Sequence, residues 1–142
     1  MTELKQTLRM IWIVVFIFAF ATASRADGMA PIKTTVCEIS DHPLRFAGKR
    51  VTISAQLNSD GIERVTLTDK SCEDAGLAVL TPEHFAGEEA FIKALQTGHP
   101  GTLDKTIRGT FTGVFRWQPE KMPKRALLLK EAQRIEVVMK DQ

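Results

Sequence analysis

GKRVTISAQLNSDG, residues 48–61, is the stretch that decides the fold. Its apolar and small polar residues alternate, with Val51, Ile53, Ala55 and Leu57 on one face and Thr52, Ser54, Gln56 and Asn58 on the other. A period of two is typical of a half-buried β-strand. Gly48 interrupts whatever precedes it, and Asp60-Gly61 is a dipeptide typical of hairpin turns. We therefore predict that this stretch is the first strand of a small β domain.

The first 26 residues have the layout of a secretory signal peptide. Lys5 and Arg9 precede an unbroken apolar run over residues 10–20, and small residues suit cleavage after Ala23 or after Ala26. The run reaches 14 residues at most, whereas a spanning helix needs about 20. We predict Sec-type export to the periplasm or the medium. The alternative is an uncleaved leader that anchors a small envelope structural protein, and the membrane is then contacted only through that leader.

Removing the leader changes the charge of the chain. The whole sequence has 19 Lys and Arg against 17 Asp and Glu, but the leader holds Lys5, Arg9 and Arg25 against Glu3, which leaves 16 of each sign. A neutral domain lacks the electrostatic footprint of a nucleic-acid binder. We therefore expect no nucleic acid among its partners. The remaining 116 residues have the size of one domain.

The cysteines and histidines indicate a disulfide rather than a metal site. In an oxidising compartment an even number of cysteines is typical of disulfides, so we predict a Cys37–Cys72 bridge. His42, His84 and His99 are scattered and form no CxxC or HxxxH spacing. We predict no metal and no cofactor.

The rest of the chain divides into short elements. Residues 27–33 form a polar lead-in that we expect to be flexible, and residues 35–46 form a broken helix with Val36, Ile39, Leu44 and Phe46 toward a core. Helical spacing over residues 82–98 predicts a second helix, which starts at Gly87 at the latest. Strands are predicted over residues 50–58, 63–69, 77–81 and 105–117, and then over 126–130 and 134–139 with a bulge near Glu131-Ala132.

This order predicts a mainly β domain over residues 34–142. A helix between the third and fourth strands of a five-strand set is the arrangement of the OB-fold, a five-stranded Greek-key barrel. Gly109 and Gly113, which alternate with aromatic residues in the fourth strand, suit a strand that must bend. An SH3-like barrel and an α+β sandwich are the alternatives, and the second helix favours the OB-like barrel.

The pattern VCEI-x3-P-x2-F-x-GKRVTI over residues 36–53 resembles a group of small secreted bacterial proteins of unknown function. Cys37, Glu38, Pro43, Phe46, Gly48, Lys49 and Val51 carry the first part of the pattern, and Asp69 and Cys72 carry the second. The resemblance covers residues 36–72 and implies a secreted domain with paired cysteines. It carries over no catalytic residue. A looser likeness, in strand order alone, is to periplasmic OB-fold stress-tolerance proteins.

One candidate ligand site lies at the loop between the last two strands. Basic side chains beside an aromatic ring suit an anionic ligand through charge and stacking, and this loop belongs to the usual ligand rim of OB-folds. The alternative is a solvated hairpin tip in which the tryptophan completes the core. The five candidate residues are Arg116, Trp117, Lys121, Lys124 and Arg125.

A second candidate surface is the polar outer face of the first two strands, and we find no catalytic constellation. Ser71 lacks the strand–turn–helix context of a nucleophile elbow, and the adjacent carboxylates Glu73-Asp74 and Glu88-Glu89 do not form an acid–base dyad. We therefore predict an exported binding or interaction domain that is not an enzyme and whose partner is a protein or a small anionic ligand. The polar surface comprises Thr52, Ser54, Gln56, Arg64, Thr66 and Thr68.

Overall fold

The structure, a computed structural model, describes residues 29–141, so the predicted signal peptide and its cleavage sites lie outside the described range. The described chain is mainly β. No helix within residues 29–141 is long and apolar enough to cross a membrane. The strands are β1 (Ile32–Thr34), β2 (Arg50–Ser59), β3 (Val65–Thr68), β4 (Gly76–Leu80), β5 (Lys105–Trp117) and β6 (Arg125–Met139); the helices are α1 (Val36–Asp41), α2 (Pro43–Phe46) and α3 (Glu88–Gln96), with a 3-10 turn at Lys70–Cys72.

Five strands close into a barrel, which is consistent with the predicted OB-like architecture. They are bonded in the order β2-β3-β4-β6-β5, and β5 pairs with β2 to complete the circle. β4 and β6 run parallel, while the other four contacts around the barrel are antiparallel. Closure leaves no free edge along the five strands.

The predicted flexible lead-in is wrong at its C-terminal end. Ile32 and Lys33 belong to β1, which runs parallel to the first half of β2 and pairs Ile32 with Val51. The side chains of Ile32 and Lys33 are exposed, so the strand carries no alternating apolar pattern. Its backbone pairing with β2 holds it in place, and a sequence pattern does not report such pairing.

The alternating apolar residues in the stretch 48–61 point into the barrel, as predicted. Val51, Ile53 and Leu57 are fully buried in the barrel. Across β5, Ile107, Phe111 and Phe115 fill the same interior. Two neighbouring strands that each present every second side chain inward therefore supply much of one core.

Two irregularities bend the pairing of β5 with β6. The register shifts between Arg108 and Thr110, and again between Thr112 and Gly113. A Cβ on Gly113 would collide with the carbonyl oxygen of Leu128, so the two strands approach there more closely than a side chain permits. The predicted bulge near Glu131-Ala132 is confirmed, because the extra residue of β6 at one shift is Lys130, directly before Glu131; the other shift lies at residues 134–135. Gly109 and Gly113 of β5, which both approach β6 closely, lie at these two shifts.

The predicted broken helix forms as α1 and α2. The Thr35 side chain caps α1 by accepting a hydrogen bond from the Glu38 N–H at 3.1 Å. Val36, Ile39 and Phe46 are buried as predicted, but Leu44 is 78% exposed, so its predicted core position is wrong. The four-residue α2 has only one inward face, and Phe46 occupies it.

The predicted disulfide is present. Cys37 in α1 is bonded to Cys72 at the end of the 3-10 turn, with an S–S distance of 2.09 Å and a Cα–Cα distance of 5.7 Å. The bridge therefore ties α1 to the segment between β3 and β4.

Helix α3 packs against the barrel core at the end away from α1 and α2. Gly87 precedes it in a left-handed conformation, with φ of 81°. Phe91 is buried and makes edge-to-face contacts with Phe85, at 5.3 Å between ring centroids, and with Phe111 of β5, at 6.4 Å. The helix is thus fixed to the barrel core through one aromatic column.

Candidate ligand site at the hairpin end

The β5–β6 loop lies at the same end of the barrel as α1 and α2, which we call the hairpin end. Antiparallel pairing of β2 with β5 places Arg50, at the start of β2, opposite Val114, near the end of β5. The Gly48 N–H donates to the carbonyl oxygen of Phe115 at 2.8 Å. The chain that leaves α2 is therefore attached to the strand that leads into the hairpin.

Trp117 and the α1–α2 segment form a surface cleft, which we call the Trp117 cleft. The cleft has a volume of about 430 Å³. Trp117 is half-buried and packs against the barrel core with part of its surface. The residues that line the cleft are Asp41, His42, Pro43, Leu44, Arg45 and Trp117.

The chemistry of the Trp117 cleft is apolar with charge at its edge. Leu44, Pro43 and the indole of Trp117 supply apolar surface, and the exposed Leu44 is available to a ligand. The Arg45 guanidinium lies over the ring of Phe46, 5.4 Å from its centroid. The cleft can hold an apolar or aromatic group while Arg45 contacts an anion.

The structure distributes the five predicted site residues around the hairpin instead of gathering them in one cavity. Trp117 pairs with Arg125 across β5 and β6, and Arg116 pairs with Ala126. Arg116, Lys121 and Lys124 are exposed, and Arg125 is half-buried. Of the five, Trp117 lines the cleft.

Arg125 lines a different depression, beside the disulfide. That depression also contains Lys70 and three carboxylates, those of Asp41, Glu73 and Asp74. Two cations against three anions give no excess positive charge there. Asp41 lines both this depression and the Trp117 cleft.

The basic side chains around the cleft have no carboxylate partners in the described chain. Within residues 29–141, ion pairs within 4.0 Å involve histidines alone, so no Lys or Arg nitrogen is matched with a carboxylate. Arg45 and the hairpin residues 116–125 contribute five basic side chains, against the carboxylates of Asp41 and Glu120. Of these, Arg45 and Asp41 line the cleft and balance each other, so the excess of three positive charges lies on the neighbouring hairpin, residues 116–125.

The polar outer face of β2 uses much of its hydrogen-bonding capacity internally. The hydroxyls of Thr52 and Thr112 are 2.8 Å apart, and those of Ser54 and Thr110 are 3.3 Å apart. Thr112 is buried. These cross-strand pairs stabilise the sheet. A shallow hollow of about 420 Å³ beside them includes Arg108 and Lys70.

The polar face continues from β2 onto β3 through two side-chain hydrogen bonds. The Gln56 amide donates to the Asn58 oxygen at 3.3 Å, and Asn58 donates to the Thr68 hydroxyl at 2.5 Å. Thr66, also on this face, pairs with Asn58 across the two strands. Arg64 lies outside this face, because β3 begins one residue later, at Val65. The observed strand is shorter than the predicted 63–69.

The three histidines remain apart from one another. His99 comes together with Asp104, whose Oδ2 lies 3.0 Å from Nδ1 of His99 and accepts the His99 backbone N–H at 3.0 Å. These hydrogen bonds lower the pKa of Asp104 below its ordinary value. They fix the loop between α3 and β5. Within residues 29–141 no three His, Cys, Asp or Glu side chains are grouped so that they could hold a metal ion.

Sequence reasoning missed the partners of Trp117 in the cleft. His42, Leu44 and Arg45 are nearly 75 residues away from Trp117 in the chain. The Pro43 after His42 marks a break between helices, and Leu44 and Arg45 after it are exposed. That signal was present, but barrel closure alone puts α2 beside the end of β5.

No protein-family model matches the chain, and no curated protein matches it.

Proposed function

We propose that this chain is an exported, non-catalytic binding domain that holds an anionic ligand with an apolar part in the Trp117 cleft. The ligand is an acidic segment of a protein or a small anionic molecule. The strand order β2-β3-β4-β6-β5, with α3 between β4 and β5, supports an OB-like Greek-key barrel as the scaffold.

The observation that carries the proposal is the position of Trp117. A half-buried indole forms one wall of an open cleft whose other wall presents an exposed leucine and an arginine. Large exposed apolar side chains beside an aromatic anchor are typical of interaction sites. The excess of basic side chains at this end adds attraction for an anion, which solvent and salt weaken.

Export is supported by the disulfide and by the leader sequence. The Cys37–Cys72 bridge belongs to a class of bond that persists in oxidising compartments and is rare in the cytosol. The leader has the layout of a signal peptide. The proposed compartment is therefore the periplasm or the medium.

The test uses two peptides that differ only in charge, acetyl-ELLEL-amide and acetyl-KLLKL-amide, each with a fluorescent label. Binding is measured by fluorescence polarisation with the chain from Asp27 onward at pH 7.5 and low salt. The acidic peptide is expected to bind in a saturable way. Leu44→Ser and Arg45→Gln are each expected to weaken it, by about three- to tenfold, the scale of one exposed contact or charge.

Matched controls are available at the other end of the barrel. Leu103→Ser removes another largely exposed leucine, and Arg64→Gln removes another exposed arginine; both variants should bind the acidic peptide as the wild type does. Unchanged binding of the acidic peptide in Leu44→Ser and Arg45→Gln, or in a Trp117→Ala, Arg116→Gln double variant, would rule the site out.

A further inference from the structure

A second groove lies at the end of the barrel opposite the Trp117 cleft. β2 begins at the hairpin end and finishes at Ser59, which lines this groove. Ten residues of extended strand put the two ends about 30 Å apart. The groove has a volume of about 380 Å³ and lies between α3 and the β2–β3 loop. We call it the acidic groove.

The floor of the acidic groove is apolar. Val65 of β3 and Phe85, Phe91 and Leu95 from α3 and the segment before it line the groove. Ile92 of α3 also lines it and is 40% exposed. An apolar lining with a few polar groups at its edge is the usual composition of a ligand pocket.

Ile62 lies at the rim of this groove and is 87% exposed. The loop that carries it is held by one carboxylate, because Asp60 Oδ1 accepts the backbone N–H groups of Ile62 at 2.9 Å and of Glu63 and Arg64 at 3.0 Å. These bonds lower the pKa of Asp60. The exposed isoleucine is therefore presented by an ordered turn.

The turn is also attached to the segment that follows α3. Gly61 and Gly101 touch through their backbones, since a Cβ on Gly101 would lie 2.8 Å from the Gly61 nitrogen. The Thr102 hydroxyl accepts the Ser59 N–H at 3.0 Å, and the Thr102 N–H donates to the Ser59 carbonyl at 3.2 Å. Both walls of the groove are thus built before any ligand arrives, which reduces the entropy lost on binding.

The charges that line the groove all have one sign. Glu63 on the loop and Glu88 on α3 face it from opposite walls, and among the described residues no Lys or Arg lines it. His84 lies 3.3 Å from the Glu88 carboxylate. Glu89 is on the same first turn of α3. Arg64 and Lys93 are close in sequence but do not line the groove.

We propose that the acidic groove binds an apolar peptide segment that carries positive charge. The charge complementarity of two carboxylates over an apolar floor selects this partner, and an acidic apolar segment is rejected by like-charge repulsion. The site is independent of the Trp117 cleft. The domain then has one end for an anionic partner and the other for a cationic one.

The test again uses labelled acetyl-KLLKL-amide and acetyl-ELLEL-amide, with the chain from Asp27 at pH 7.5. In 20 mM salt the Debye length is roughly 20 Å, against about 8 Å at physiological ionic strength, so charge attraction is screened less. Under these conditions the basic peptide is expected to produce a saturable polarisation change. Ile62→Ser should weaken its binding about tenfold or more, as expected for an anchor residue. The double variant Glu63→Gln, Glu88→Gln should weaken it about three- to tenfold at low salt and less at high salt.

Two controls separate this site from the other one. Leu103→Ser removes a comparably exposed side chain that does not line the groove and should leave binding of the basic peptide unchanged. Leu44→Ser, in the Trp117 cleft, should also leave it unchanged. The proposal is overturned if Ile62→Ser binds as the wild type does, if both peptides bind this groove equally, or if no binding occurs at millimolar peptide. Concentration-dependent self-association that Ile62→Ser abolishes would assign the groove to a second copy instead.

Discussion

The Nζ of Lys105, the first residue of β5, donates a hydrogen bond to the carbonyl oxygen of Leu95, near the end of α3, at 2.8 Å. The same ammonium also donates to the carbonyls of Thr97 and His99. Lys105 is only 1% exposed. One buried cation therefore caps the C-terminal end of α3, where the helix dipole favours positive charge.

Replacing Lys105 tests this cap. Lys105→Met keeps the length of the side chain but removes all three donors, and it leaves the carbonyls of Leu95, Thr97 and His99 without that partner. We expect a loss of about 2–4 kcal/mol in the free energy of unfolding. Urea denaturation followed by circular dichroism measures it. Lys140→Met, which removes an exposed lysine that also donates to loop carbonyls, is the control and should lose less than about 1 kcal/mol.

The disulfide gives a second prediction. The bridge closes a loop with a sequence separation of 35 residues, and on the chain-entropy account such a loop contributes about 3–4 kcal/mol. The double variant Cys37→Ser, Cys72→Ser should therefore have a free energy of unfolding lower by about that amount at pH 7. Urea denaturation measures this as a lower midpoint. The oxidised wild type should show no free thiol when it is denatured without reductant. Two reactive thiols under those conditions would contradict the bridge.

Much of the barrel could be predicted from the sequence, because the apolar residues that alternate along a strand are the ones that the barrel buries. Val51, Ile53 and Leu57 alternate in the sequence and are buried in the barrel. Thr35 and Gly87 mark helix starts by their chemistry. In each case a local pattern has a local structural consequence.

The parts that could not be predicted depend on contacts between distant residues. β1 forms through backbone pairing with β2, and its side chains are mostly exposed. Lys105 was expected to begin an ordinary strand, and nothing in its neighbours indicates that it reaches three carbonyls of another segment. Leu44 was assigned to the core because it is apolar, whereas the short α2 directs it outward.

The residues that surround Trp117 could be named from the sequence only in part, for the same reason. Trp117 was singled out from the loop chemistry, and the structure places it in a cleft. Arg45, which the sequence did not suggest, lines that cleft, whereas Arg125 lines a depression with two cations and three carboxylates. The pairing of an N-terminal helix with a C-terminal hairpin follows from barrel closure, which a single sequence does not display.

The Asp60 turn predicts a pH dependence. Three backbone N–H groups stabilise the ionised carboxylate, so the pKa of Asp60 in the folded chain lies below its ordinary value of 3.8. A lowered folded-state pKa contributes stability above the unfolded pKa, and this stability is lost as the pH falls through the folded pKa. Asp60→Asn should therefore melt below the wild type at pH 7, and the two melting temperatures should converge below about pH 3.8. A difference in Tm that stays constant from pH 7 to pH 2 would contradict this role.

The predicted signal peptide implies a definite mass for the exported protein. If the full chain is produced in a bacterium and recovered from the periplasm, signal-peptide cleavage should leave a protein that begins at Ser24 or at Asp27. Intact mass spectrometry distinguishes these two products from the full chain of 15.8 kDa. Recovery of the full chain from the membrane fraction would instead support the anchored envelope protein.

The most direct test of the central claim uses Trp117 itself. The sequence has two tryptophans, Trp12 and Trp117, and no tyrosine, so Trp117 is the only tryptophan of the chain from Asp27 onward. Unlabelled acetyl-ELLEL-amide should shift or quench its fluorescence in a saturable way that Leu44→Ser weakens, while acetyl-KLLKL-amide should leave the emission unchanged. No change with the acidic peptide at millimolar concentration, or the same change with both peptides, would contradict an anion-selective site at Trp117.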